Sequence, residues 1–343
     1  MAIIAVALLP VVAFLSALVV MDRFKLLRRS SVLIALAAGA VAALVSLWMN
    51  EWALRVLGIR QRTVSQFIAP ISEETAKGLF VVALVMTGRV GFLVDAAVQG
   101  FAVGTGFALI ENLIYLRSMP DASPVVWVVR GLGTAVLQGA TTMIFAMISK
   151  ALADRRVARR MTAFVPGWAA AVVVHSAFNQ RVLPPVAQTL VLLVVLPLLV
   201  IWVFDRSERA TREWVGAGLD LDLALIDLVG SEQFAFTHIG RYLRELCART
   251  PGPVVADMFC LLRLELELAV QAKALLMARE AGVDVPADED LESVLAERRY
   301  LQHSIGKIGL LTLKPLGVAS HRDEWHRHLL QQPRSQMGAG RHP

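Results

Sequence analysis

The chain has 343 residues, of which 56% are apolar and 18% charged, and its mean hydropathy is +0.60. An ordinary soluble domain is about 45–50% apolar and about 25% charged, so these proportions exclude a conventional globular protein. The net charge of +6 averages two regions: residues 1–204 hold 17 Lys+Arg against 8 Asp+Glu, and residues 205–343 hold 17 against 20. The basic excess belongs to short loops between apolar runs, so nucleic acid is not an expected partner and the lipid bilayer is.

A bilayer-spanning helix takes about 20 predominantly apolar residues. Seven stretches qualify, at 3–21, 31–53, 66–86, 91–116, 125–149, 164–182 and 183–204. The first has no basic residue before Arg23 and no small-residue cleavage site, which predicts a retained helix rather than a signal peptide. Residues 54–65, with Arg55, Arg60 and Arg62, read as a short amphipathic piece at the interface. Leu183-Pro184-Pro185 predicts a tight turn between the last two spans. Basic residues of short loops mark the cytoplasmic side. Thirteen lie in the set with Arg23, Arg89, Lys150 and Arg206, and five in the opposite set. The expected protein is thus multi-pass in the cell membrane, with its N-terminus outside and its C-terminal region in the cytoplasm. The predicted fold is an all-α membrane bundle over 1–204, a small helical cytoplasmic domain over 205–330 and a disordered tail over 331–343.

Within that second region, 231–249, 254–280 and 288–304 show helical apolar spacing. Cys247 and Cys260 are expected to be reduced core residues, and no zinc motif is present. The region's partner is not legible from its sequence.

An ionisable group at membrane depth costs at least about 2.5–3.5 kcal/mol, so each one needs a reason. They are few: Glu73, Glu74 and Lys77 in the third span, Asp95 and Glu111 in the fourth, Arg130 in the fifth and His175 in the sixth. At about 1.5 Å per residue, Glu73, Glu111, Arg130 and His175 all fall ~8–10 Å below the outer ends of their spans. Asp95 is expected near the inner interface, in contact with solvent. Glu73 and Lys77 share a helix face, as do Phe107 and Glu111, and His175 and Asn179. Glu74 is rotated about 100° from Glu73, so only one of the two is expected to point straight into the site. Gly100, Gly104 and Gly106 predict close helix packing. A carboxylate in such a cavity can take a proton from water and pass it to a leaving amine. A His with an i+4 Asn can donate to an oxyanion.

Three motifs follow in order: Pro70-Ile71-Ser72-Glu73-Glu74-Thr75-Ala76-Lys77, Phe107-Ala108-Leu109-Ile110-Glu111-Asn112, and His175-Ser176-Ala177-Phe178-Asn179. Over about residues 60–183 they resemble the PrsW family of glutamic-type intramembrane proteases, relatives of the CAAX-protease and bacteriocin-processing superfamily. The resemblance implies an endopeptidase that cuts a membrane-anchored, single-pass substrate near its extracytoplasmic side, an anti-sigma factor of stress signalling being the best-known kind. It implies Glu73, Glu74, Glu111 and His175 as catalytic residues. Lys77, Phe107, Asn112, Arg130, Gln138 and Asn179 are supporting residues, Arg130 standing at a position commonly basic in the family. The family usually carries a His where this chain has Gln138, and an amide cannot carry a proton. With His175 the single imidazole of the spans, no two-His metal site is expected, and neither is a cofactor. The exchange also keeps open an inactive scaffold that binds membrane proteins. A proton-coupled transporter is the other alternative, and it would call for an inverted repeat that the sequence does not show.

Overall fold

A computed structural model describes residues 2–22, 29–155, 161–247, 250–281, 283 and 290–313. All regular structure among these residues is helical. The chain forms two units, Met1–Ser207 and Glu208–Pro343.

The first unit begins with α1 (Ala2–Met21) and α2 (Arg29–Arg55). Helix α3 (Gln61–Thr63) runs through a π-helical turn, Val64–Ile68, directly into α4 (Ala69–Met86). Helix α5 (Leu93–Ser118) is followed by α6 (Pro124–Val128), which passes through a second π turn, Val129–Thr134, into α7 (Ala135–Arg155). Helix α8 (Val165–Asn179) and α9 (Pro185–Val229) complete it. Pro124, Pro166 and Pro185 stand in first turns, where a missing N–H costs nothing.

Six helices among the described residues are long and apolar enough to cross a membrane: α1, α2, α5, the continuous run Pro124–Asp154, the run ending α8, and the first part of α9. The expected seventh, α4, fails on composition because Glu73, Glu74 and Lys77 sit within its 18 residues. It packs instead against α2, α7 and α8 and turns those charges inward. Two further expectations change. Residues 54–65 are not one amphipathic piece but the end of α2, a turn and the start of a new helix. Helix α9 does not stop near Phe204 but runs unbroken to Val229.

Helices α5 and α7 form the centre of this unit, with α2 on the other side of α5. Val98, Phe101, Ala102, Val136, Ala140 and Met143 are buried along their seam, and the Phe14 ring of α1 stacks on Phe101 with centroids 5.1 Å apart. Gly100 and Gly104 face α7 and Gly106 faces α2, as packing positions should. The decisive one is Gly104, where a Cβ would collide with the Gln138 carbonyl. Leu9, Leu44, Trp48, Val173, Leu190 and Val194 remain exposed, an apolar exterior suited to lipid. Asp95 is not solvated as expected: it is 1% exposed, and its Oδ2 accepts from the Gly91 and Phe92 N–H groups at 3.1 Å each, capping α5.

The second unit holds the end of α9, a 3-10 turn (Glu232–Phe236), α10 (His238–Cys247), α11 (Gly252–Glu280) and α12 (Leu291–Leu313). Helix α12 is broken at Gly306, whose φ is +63°. Met258, Leu261, Leu268, Leu276 and Leu301 are buried. Two ion pairs of 2.6 Å, Arg298–Glu265 and Lys273–Asp222, tie the helices. Cys260, expected in a core, is exposed on α11. The Cys247 side chain and the tail 331–343 lie outside what is described.

Candidate active site

Four helices bring their polar residues to one end of the first unit. Helix α4 supplies Glu73, Glu74 and Lys77, α5 supplies Glu111, α7 supplies Gln138 and Thr141, and α8 supplies His175. The close approach at Gly104 draws the Gln138 backbone onto α5, so its side chain falls between the α4 and α5 carboxylates.

Gln138 is the hub of the cluster. Its amide nitrogen donates to Glu73 Oε2 at 2.9 Å and to Glu111 Oε2 at 3.2 Å, while its amide oxygen accepts from the Lys77 ammonium. One neutral amide thereby separates two carboxylates that would otherwise repel and links both to a buried positive charge.

The two adjacent glutamates divide. Glu74 is fully buried, and its Oε1 meets Lys77 Nζ at 2.7 Å, Thr141 Oγ1 at 2.9 Å and His175 Nδ1 at 2.8 Å. Its Oε2 is buried without a hydrogen-bond partner among the described residues. The Glu73 side chain is 12% exposed, with its Oε2 3.8 Å from His175 Nε2. The imidazole therefore bridges the pair, one nitrogen to each glutamate. Both carboxylates reach the cluster, contrary to the angular argument, because His175 lies between their directions. Lys77 pairs with Glu74 rather than with Glu73, three residues apart rather than four. Its ammonium also sits 4.8 Å from the centre of the buried Phe107 ring.

Glu111 is held from the other side. Arg130 Nη2 donates to it at 3.1 Å, Arg130 Nε donates to Asn112 Oδ1 at 3.1 Å, and the guanidinium lies 3.5 Å over the Tyr115 ring. The Glu111 and Arg130 side chains are 21% and 13% exposed. The cluster thus has an accessible edge of Glu73, Glu111 and Arg130 in front of a sealed Glu74–Lys77 pair.

Asn179 stands outside the cluster. Its Nδ2 donates to the Ser65 carbonyl at 3.0 Å, in the π turn before α4. In a π turn that carbonyl looks for the N–H five residues on, which is Pro70 and has none. Asn179 supplies the missing donor. Two members were not anticipated, Thr141 and Tyr115. Their signals were present in the sequence: Thr141 is three residues from Gln138 and Tyr115 four from Glu111, each on the shared face.

The donor set does not suit a catalytic zinc, which takes three protein ligands such as His₃ or His₂Glu. Among the described residues no three of His, Cys, Asp and Glu gather where one ion could bind them. The single imidazole is committed to Glu74, amide N–H groups occupy the gap between Glu73 and Glu111, and the Lys77 ammonium already supplies a central cation.

A sequence model of the family described as PrsW family intramembrane metalloprotease matches residues 28–203, just over half of the chain. No match was found among curated proteins or among solved structures. The metal in that description finds no gathered set of three His, Cys, Asp or Glu donors among the described residues of this cluster.

Proposed function

The chain belongs to the PrsW family of intramembrane proteases, and from that premise we propose that it hydrolyses a peptide bond of a membrane-anchored protein with water activated by Glu73. The observation that carries this reading is the division of labour between neighbours, with Glu73 at the accessible edge and Glu74 sealed behind it.

Water between Glu73 Oε2 and His175 Nε2 gives its proton to Glu73 as its oxygen bonds to the scissile carbonyl carbon. Glu74, fixed by Lys77 and Thr141, holds the ring through Nδ1. The ring enters the step as an imidazolium, with Nδ1–H on Glu74, and offers its Nε2–H to the developing oxyanion while keeping both protons. When the C–N bond breaks, Glu73 returns the proton to the leaving amine. Glu111, kept in place by Arg130 and Gln138, shares in holding the water. Lys77 balances Glu74, and no metal enters the sequence of steps.

The site lies at the end of the bundle where α1 begins, since Asn112 beside Glu111 contacts Ala7. Arg29, Arg89, Lys150 and Arg155, at the start of α2, just after α4 and in the last turns of α7, belong to the other end. This supports an N-terminus outside the cell, cleavage near the extracytoplasmic face and a cytoplasmic second unit. A single-pass protein, such as an anti-sigma factor in stress signalling, is the substrate class that fits. Quantitative proteomics of a deletion strain tests the assignment. Full-length single-pass proteins should accumulate and be cut again when the wild-type chain is restored, but not with Glu73→Gln. Restoration by both to the same degree would refute it.

One observation favours a second reading, an inactive scaffold: both polar ends of Gln138 are occupied, as in a purely structural network. In that case wild type and Glu73→Gln would bind the same membrane proteins and cut none.

A further inference from the structure

Helix α1 precedes the stretch matched by the family, yet it touches the cluster. Pro10 lies inside α1 and has no N–H to offer the Val6 carbonyl, which is left without its helical donor. Gly131, in the π turn before α7, presses against that carbonyl so closely that a Cβ there would collide with it. One residue along, the Ala7 carbonyl accepts from Asn112 Nδ2 at 2.7 Å. Asn112 is 1% exposed, and its remaining polar atom, Oδ1, accepts from Arg130 Nε. A line of hydrogen bonds thus runs from the α1 backbone through Asn112 and Arg130 to Glu111.

We propose that Asn112 is a positioning residue that couples α1 to the Arg130–Glu111 pair, making the first helix a working part of the active site. An arginine side chain has many rotamers, and Arg130 is fixed by Asn112, Glu111 and the Tyr115 ring together. With Asn112 tied to α1 at one end and to Arg130 at the other, displacement of α1 leaves the guanidinium held by Glu111 and the Tyr115 ring alone, freer to move. Glu111 then has one firm bond, to Gln138, and one to a loosened partner. A loss of alignment of about 1 Å at a reacting group can cost on the order of 10²-fold in rate.

The test uses the full chain in lipid nanodiscs, with two readouts. The first is phenylglyoxal modification of Arg130 followed by mass spectrometry, with the exposed Arg55 as internal reference. The second is turnover of a fluorescent single-span reporter peptide, an arm that rests on the protease reading. Asn112→Ala and Gly131→Ala should each speed Arg130 modification about tenfold relative to Arg55, and lower kcat about tenfold with KM held within about twofold. Because both substitutions break one link, the double variant should be no slower than the slower single variant. Modification of Arg130 at the wild-type rate in both variants, or losses that multiply in the double variant, would overturn the proposal. Asn112→Ser replaces Asn112→Ala if the latter is not recovered folded. If wild type cuts no reporter, the protease reading fails, and the modification rates still decide whether α1 holds Arg130.

Discussion

His175 Nδ1 lies 2.8 Å from Glu74 Oε1, so the buried member of an adjacent glutamate pair holds the imidazole whose other nitrogen faces the accessible member. Two residues that look interchangeable in sequence therefore have different work, and substitutions separate them.

Glu74→Gln leaves the fully buried Lys77 without its counter-ion. Breaking such a pair costs about 3–5 kcal/mol, so the variant should unfold at markedly lower temperature in detergent. Adding Lys77→Met should recover much of that stability, but not turnover, because a neutral amide oxygen at position 74 holds the His175 ring more weakly than the carboxylate and cannot balance its charge. Thermal unfolding and reporter cleavage on the two variants check both halves. Recovery of activity along with stability would show that Glu74 serves only the fold.

Gln138→Leu keeps the volume but removes the amide between Glu73 and Glu111. The carboxylates then face each other without a donor, and kcat should fall about 10²-fold, comparable to the loss of one oriented donor in an active site. A variant as fast as wild type would leave the hub without a role.

Prolonged exposure to a metal chelator should leave reporter cleavage unchanged, and elemental analysis of the purified chain should find far less than one zinc per molecule. The reason is the donor set, in which a single imidazole is already bonded to Glu74. Stoichiometric zinc whose removal abolishes turnover would contradict this.

Asn179→Ala should cost about 1 kcal/mol of stability, the worth of one hydrogen bond to the Ser65 carbonyl, and change turnover by less than about threefold. A loss of about 10²-fold with unchanged stability would instead place Asn179 in the chemistry.

Much of this arrangement was legible in the chain itself. Apolar runs located the membrane helices, and equal depths on separate spans brought Glu73, Glu111, Arg130 and His175 together. What was misread has local causes. Lys77 can reach a partner three or four residues back, and helical spacing does not choose between Glu74 and Glu73. Asn179 shares a face with His175, but the π turn and Pro70 create a carbonyl that captures it. Asp95 looked like an interfacial charge because capping by a side chain three residues into a helix is silent in hydropathy. Cys260 follows the apolar pattern of α11 and is nonetheless exposed, since a mixed helix has positions between its faces. The role proposed for α1 could not be read at all, for the hydrogen bond from Asn112 to the Ala7 carbonyl joins a side chain to a distant backbone group and leaves no trace in residue type.

Orientation has its own check. In a Cys247→Ser background, exposed Cys260 should react with a membrane-impermeant maleimide in inside-out vesicles and not in intact cells. The reverse pattern would invert the proposed topology.

Reporter cleavage by purified Glu73→Gln in nanodiscs bears most directly on the central role given to that carboxylate. The substitution keeps the shape and removes the base, so kcat should fall at least about 10³-fold while the protein stays folded and still binds the reporter. Cleavage by folded Glu73→Gln at the wild-type rate would contradict water activation by Glu73.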